Sequence, residues 1–165
     1  MTISLEENHL LDNKTSILKR IYLFKKLTDE ELKHILNIAT AKSFKKDEII
    51  FNEGDKGDAF YVVLKGSIRI STFVPNVGEE ALAILKKGNY FGEMALIDNA
   101  PRSASAIANE DTILLKITDA NFRNLLVSDH NIAYKLLWEL VKTLSKRLRE
   151  TDSKLKTILA IAKNF

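Results

Sequence analysis

The sequence predicts a mainly β fold, an antiparallel barrel or jelly roll, with short helices before it and one long helix after it. Three observations carry this reading. From Lys42 to Ile117 the chain falls into short runs of β-branched and aromatic residues, all six glycines interrupt those runs, and on either side the apolar spacing is helical. Evenly punctuated short strands of this kind build closed antiparallel architectures. At 165 residues the chain is long enough for one domain with its own core plus an appended helix.

Residues 1–15 are read as an N-terminal extension, 16–128 as the barrel domain with its leading helices, and 129–165 as a C-terminal helix for dimerisation and transmission. Between Ser16 and Ala41, Ile17, Leu18, Ile21, Leu27, Leu32, Ile35, Leu36 and Ile38 recur at helical spacing, interrupted near Thr28. Thr28 and Glu31 form a capping-box pair, which starts a helix at Thr28. Strands are expected over Ala59–Lys65, Ser67–Val74, Glu79–Leu85, Arg102–Ala108 and Thr112–Ile117. A shorter pair is expected near Ser43–Lys45 and Glu48–Phe51.

The helical pattern returns at Asp119–Val127 and runs on from Asp129 to Lys163. In that last run Val141, Leu148, Leu155 and Ala162 share one heptad position, and Leu137, Leu144, Thr151 and Ile158 the other. An apolar seam sustained for about four heptads points to a two-stranded coiled coil, and so to a homodimer. Arg147 falls at g and Asp152 at the following e, where opposite charges pair between parallel chains. A helix packed along its own barrel is the competing outlet for the same seam. Tyr134 and Trp138 lie one turn apart on this helix, and Trp138 is expected as a buried anchor between helix and barrel.

Composition narrows the function classes. With 45% hydrophobic and 28% charged residues the chain is globular rather than disordered. Its net charge of +3 is spread among interleaved acids and bases, so nucleic acid is not expected to bind this chain alone. The absence of cysteine excludes disulfides, thiolate catalysis and Cys-bound metal. His9, His34 and His130 are scattered outside the strand region, and no Ser/His/Asp or Cys/His constellation is present, so neither metal, cofactor nor catalysis is expected. No apolar run reaches the roughly 20 residues that span a bilayer, and the first ten residues lack a signal-peptide layout. No membrane association and a cytoplasmic location are therefore expected.

The chemistry concentrates in Phe91-Gly92-Glu93-Met94-Ala95-Leu96-Ile97-Asp98-Asn99-Ala100-Pro101-Arg102-Ser103-Ala104-Ser105, a segment between strands. Gly92 permits close backbone approach, a turn opening near Glu93 presents unpaired amides, and Arg102 supplies a forked cation: together these make an anion site. A carboxylate in such a loop is repulsive to phosphate unless it has a partner of its own. A ribose 2′-hydroxyl donating to Glu93 is such a partner, with Arg102 screening the two anions from each other.

This run resembles the phosphate-binding cassette of cyclic nucleotide-binding domains, as in protein kinase A regulatory subunits, cyclic-nucleotide-gated channels and the bacterial catabolite activator. The spacing of Gly54, Gly57-Asp58, Phe60-Tyr61 and Lys65-Gly66 is similar to that family's turn signature, and the likeness extends over roughly Leu18 to Leu155. The resemblance implies the family's double-stranded β-helix barrel, with Glu93 on the ribose and Arg102 on the cyclic phosphate. It further implies backbone amides from Gly92, Ala95 and Ser103, with Met94 and Ala104 completing the cassette around the ligand.

Ser103 does not decide the base, since the family carries Ala, Thr or Ser after the cassette arginine. Arg147 to Lys154 resembles the activator's stretch in which a Thr and the next residue touch adenine from the two chains of a dimer, which implicates Thr151 and Asp152. The activator has Ser where Asp152 stands, and a carboxylate accepts from guanine as well as adenine. The expected ligand is cAMP, with cGMP the alternative. The expected role is a regulatory module acting on an effector protein or a fused domain. The competing roles are the effector-binding part of a transcription regulator whose DNA-binding domain is absent from this sequence, and a ligand-free dimerisation scaffold.

Overall fold

The computed structural model describes residues 14–163, so all but the last two residues of the expected N-terminal extension, His9 included, lie outside it. Helix α1 (Lys14–Lys19) and a 3-10 turn (Tyr22–Phe24) lead into α2 (Asp29–Ile38). The capping box forms as the sequence requires: the Glu31 amide donates to Thr28 Oγ1 at 3.3 Å, and the Thr28 amide to Glu31 Oε2 at 2.8 Å. The helical reading that ran to Ala41 is corrected, because Ala39 already belongs to β1 (Ala39–Phe44). No glycine or proline marks that boundary. What ends the helix is a long-range ladder, in which β1 pairs with β8 (Thr112–Thr118) from Ala39↔Ile117 to Phe44↔Thr112.

Between these strands lie β2 (Ile49–Phe51), β3 (Ala59–Lys65), β4 (Ser67–Val74), β5 (Gly78–Lys86), β6 (Tyr90–Phe91), the single turn α3 (Met94–Ile97) and β7 (Ser105–Ala108). They form two four-stranded antiparallel sheets, in the orders β1-β8-β3-β6 and β2-β7-β4-β5. This is the jelly-roll barrel that the spacing predicts. Strand β7 is shorter than the expected Arg102–Ala108, because the Arg102 amide donates to Asp55 O and its carbonyl accepts from the Gly54 amide. Those bonds hold residue 102 in a loop against the turn after β2.

The strand period of two sorts β3 between two cores. Phe60, Val62 and Leu64 face outward to the helices, alongside Ile113, Leu115 and Ile117 of β8. Ala59, Tyr61 and Val63 face the barrel interior with Ile68, Phe91, Ala106, Ala108 and Leu114. Both faces of β3 are thus covered, which is why its sequence is an unbroken apolar run rather than an alternation.

After α4 (Asp119–Ser128) comes α5 (His130–Ala162), whose first half buries Ile132, Ala133, Leu136 and Leu140 in the outer core. Lys135 and Asn131 fasten it to α2 through Glu31 Oε1, at 2.7 and 2.5 Å. Beyond Val141 the seam residues Leu148, Leu155 and Ile158 stand exposed to solvent. The expectation for Trp138 is corrected: it is 48% exposed, stacked on Tyr134 with ring centroids 6.4 Å apart, and anchors nothing between helix and barrel.

Candidate functional site

Strand β6 delivers the chain to Gly92, whose φ of +80° turns it into α3. A side chain there is strained by that φ, and its Cβ would lie 2.8 Å from Arg102 Nη1. Gly57 is needed for a different reason: a Cβ on it would lie 2.5 Å from that of Ala95, so its bareness lets the turn before β3 close on α3. The Leu96 and Ile97 amides close back on Glu93 O, and the Met94 and Ala95 amides precede the first intrahelical bond.

Arg102 enters from the opposite strand of loop and is buried, its side chain 1% exposed. Nη1 donates to Gly92 O at 2.6 Å, and Nη2 donates to Ala59 O at 2.6 Å and to Asp58 Oδ1 at 3.1 Å. The guanidinium lies over the Phe51 ring, 4.1 Å from its centroid. Nε is buried without a hydrogen-bond partner. Asp58 also accepts from Lys116 Nζ at 2.8 Å. Burial resists the ionisation of Asp58, but Lys116 and Arg102 outweigh it and hold the carboxyl below the ordinary aspartate range.

Glu93, equally buried, does not pair with Arg102. Its Oε1 accepts from Arg147 Nη1 of α5 at 2.5 Å, and Arg147 Nη2 donates to Tyr90 O at 3.0 Å. The sequence placed Arg147 at a heptad g position facing a second chain; the structure instead turns it inward. Burial pushes the Glu93 carboxyl above the ordinary glutamate range, and Arg147 offsets this only in part. Within this ion-pair network, Arg102, Lys116 and Arg147 against Asp58 and Glu93 leave one positive charge in excess.

Glu93, Arg102 and Arg147, but not Asp58 or Lys116, line a cavity of about 680 Å³, inside the ~300–1,000 Å³ typical of small-molecule sites. One wall is apolar, from Phe51, Ile70, Leu82, Ala83 and Leu85 of the barrel; the facing wall is α5, through Thr143, Lys146, Arg147, Glu150, Thr151 and Lys154. Gly92, Glu93, Met94, Ala95, Arg102, Ser103, Ala104 and Thr151 all border this cavity. Asp152 does not; it is exposed on another side of α5.

Two site residues escaped the sequence reading. Asp58 sat in the quoted Gly57-Asp58 pair without a role, and Arg147 was assigned to the seam. Among the described residues no cluster of His, Cys, Asp or Glu has the makings of a metal site, and no helix is long and apolar enough to cross a membrane.

The profile of the Cyclic nucleotide-binding domain family matches residues 41–129. The chain is 37% identical over 139 residues to the Cyclic AMP receptor protein of Thermus thermophilus, covering 81% of this chain and 60% of that protein. It is 29% identical over 132 residues to cGMP-dependent protein kinase 2 of Mus musculus, covering 79% of this chain and 17% of that one. The chain therefore spans less than two thirds of the length of these relatives. Among solved structures, a cyclic nucleotide-binding domain from Methylobacillus flagellatus superposes with a TM-score of 0.77 at 27% identity, over 89% of this chain and 83% of the other.

Proposed function

The chain belongs to the cyclic nucleotide-binding domain family, and from that premise we propose that it is a sensor: it takes a cyclic mononucleotide into the cavity, signals through α5, and performs no chemistry of its own. The observation that carries this is Arg102, a buried cation at the cavity whose Nε has no acceptor. A buried donor without a partner is costly, and a cyclic phosphate supplies both the acceptor and the opposite charge. In this reading the backbone amides of Gly92, Ala95 and Ser103 add donors to the phosphate and sugar, and Met94 and Ala104 close the cassette around them.

Glu93 receives the ribose 2′-hydroxyl, since Arg147 occupies Oε1 and a carboxylate retains further lone pairs. The base lies toward the apolar barrel wall and Thr151. The reading favours cAMP over cGMP, supported by the Thr151 hydroxyl at the cavity and by 37% identity to a protein named for cyclic AMP, against 33% to one named for cyclic GMP. Asp152 contributes only to the cavity of a second copy. The exposed seam of α5 supports a homodimer formed along it.

Transmission runs through Arg147, which joins α5 directly to the carboxylate that takes the ribose. A ligand that engages Glu93 in one placement of α5 better than in another shifts the population by that difference. The output is an effector protein or fused domain, in the cytoplasm, without nucleic acid or membrane as partner of this chain. Calorimetry tests the reading: saturable heat is expected with cAMP and weaker binding with cGMP. No heat from either nucleotide, at protein concentrations well above micromolar, overturns it.

A further inference from the structure

Lys116 is a charge on a strand face that is otherwise apolar. The strand period puts it on the same side of β8 as Leu114, which belongs to the barrel interior, and the ladder sets it opposite Tyr61 of β3. Its side chain is 25% exposed, and it does not border the cavity. Nζ donates to Asp58 Oδ2 at 2.8 Å and stands 5.8 Å from the centre of the Tyr61 ring.

Asp58 divides its two oxygens between two cations. Oδ1 accepts from Arg102 Nη2 at 3.1 Å, while Lys116 takes Oδ2. A carboxylate beside a guanidinium commonly takes two parallel N–H bonds, one to each oxygen. Here only one forms, although Arg102 keeps a further donor, Nε, buried and without a partner. The guanidinium is fixed by its 2.6 Å bonds to Gly92 O and Ala59 O. Asp58, with a side chain 60% exposed, is the partner with room to turn.

We propose that Lys116 is a positioning residue for the anion site: by holding Oδ2 it keeps Asp58 from closing a fork on Arg102, and so leaves Nε open to the phosphate of a ligand. Without the amine, Oδ2 is released to take Nε, and the carboxylate then occupies a donor that the phosphate needs. The charge balance works in the same direction. Arg102 and Asp58 alone are a neutral pair, whereas with Lys116 the three groups carry one positive charge. The ligand readout of this proposal rests on the cyclic-nucleotide reading above; its ligand-free readout does not.

Lys116→Met keeps an unbranched side chain and removes the amine, and Lys116→Arg restores a cationic donor for Oδ2. In ligand-free protein, the NMR exchange rate of the Arg102 Nε–H with solvent is expected to fall about fivefold in Lys116→Met, because an acceptor now covers it, and to stay near wild type in Lys116→Arg. A lysine that only stabilises its surroundings gives the opposite sign, since loosening speeds exchange. Calorimetry is expected to show cAMP binding about fivefold weaker in Lys116→Met, an ordinary coupling within one ion-pair network. Added to Asp58→Asn, where no carboxylate is left to restrain, Lys116→Met is expected to cost nothing further. Unchanged or faster Nε exchange in folded Lys116→Met overturns the proposal, and so does an equal loss of cAMP affinity in the two backgrounds. If Lys116→Met does not fold, Lys116→Thr, whose branched side chain suits a strand, makes the same test. If the wild type binds no cyclic nucleotide, the sensor reading fails and Arg102 exchange still decides this one.

Discussion

Replacing Arg102 with alanine separates a ligand-binding guanidinium from a purely structural one, and the structure sets the magnitude. Arginine has five N–H donors, of which Gly92 O, Ala59 O and Asp58 Oδ1 take three. The two left over, Nε among them, are free for an anion. Hydrogen bonds to charged groups contribute about 1.5–3 kcal/mol each, so the pair contributes about 3–6 kcal/mol. At about 1.4 kcal/mol per tenfold in affinity, Arg102→Ala should weaken cAMP binding by at least about a hundredfold. Stability falls as well, because the buried Ala59 carbonyl loses its donor, at a cost of about 1–3 kcal/mol, and the half-buried Gly92 carbonyl loses one too. Calorimetry below the variant's melting temperature keeps the effects apart, with Arg102→Lys as a variant that retains charge but not the fork. A folded Arg102→Ala that binds cAMP within about threefold of wild type, a difference under 1 kcal/mol, refutes the assignment of the phosphate to this residue.

The other predictions concern the remaining charges and the seam. Glu93→Gln should lower affinity for cAMP and leave little further loss when the ligand is 2′-deoxy-cAMP; a full additional loss in that double-mutant cycle contradicts the ribose role. Because burial raises the folded pKa of Glu93 above its unfolded value, its charge destabilises the fold at neutral pH and this cost disappears at low pH. The same Glu93→Gln variant should therefore melt no lower than wild type near pH 7, and a clear drop in Tm there counts against the sign. Asp58 has the opposite linkage: its lowered folded pKa contributes stability above the unfolded carboxyl range, lost as pH falls through the folded value. Asp58→Asn should accordingly flatten the acid limb of the Tm profile below about pH 4, and an unchanged limb contradicts this. Leu148→Asp should leave the barrel folded and halve the mass in sedimentation; an unaltered mass removes the seam from any role in assembly.

The barrel was legible because glycine punctuation and β-branched runs are local signals, and the cassette because its residues are contiguous. What escaped was set by contacts distant in sequence. Ala39 to Ala41 carry no stop signal and join a strand only because β8 lies alongside. Arg102 to Ser103 read as strand, yet the ladder begins at Ser105, since residue 102 bonds to the turn at Gly54 and Asp55. Strand β6 is two residues long and offers no period to read. Arg147 fitted a heptad, and nothing in its neighbourhood indicated a carboxylate 54 residues away. Trp138 followed the general tendency of a lone tryptophan to be buried, against its actual place on the open side of α5.

These misses share a cause that bears on how the site works. A buried carboxylate is unfavourable unless something pairs with it, and Glu93 finds that partner only on α5. The barrel therefore does not close the cavity by itself; the helix that follows it supplies one wall. Because the cation that pairs with Glu93 comes from α5 rather than from the strands, one ion pair ties the placement of the helix to the cavity. In the proposed sensor, a ligand hydroxyl that binds Glu93 beside Arg147 bears directly on the ion pair that ties α5 to the cavity. Arg102 differs: its ties to Gly92, Ala59 and Asp58 are all within the barrel, so in the proposed sensor it holds the phosphate without engaging α5.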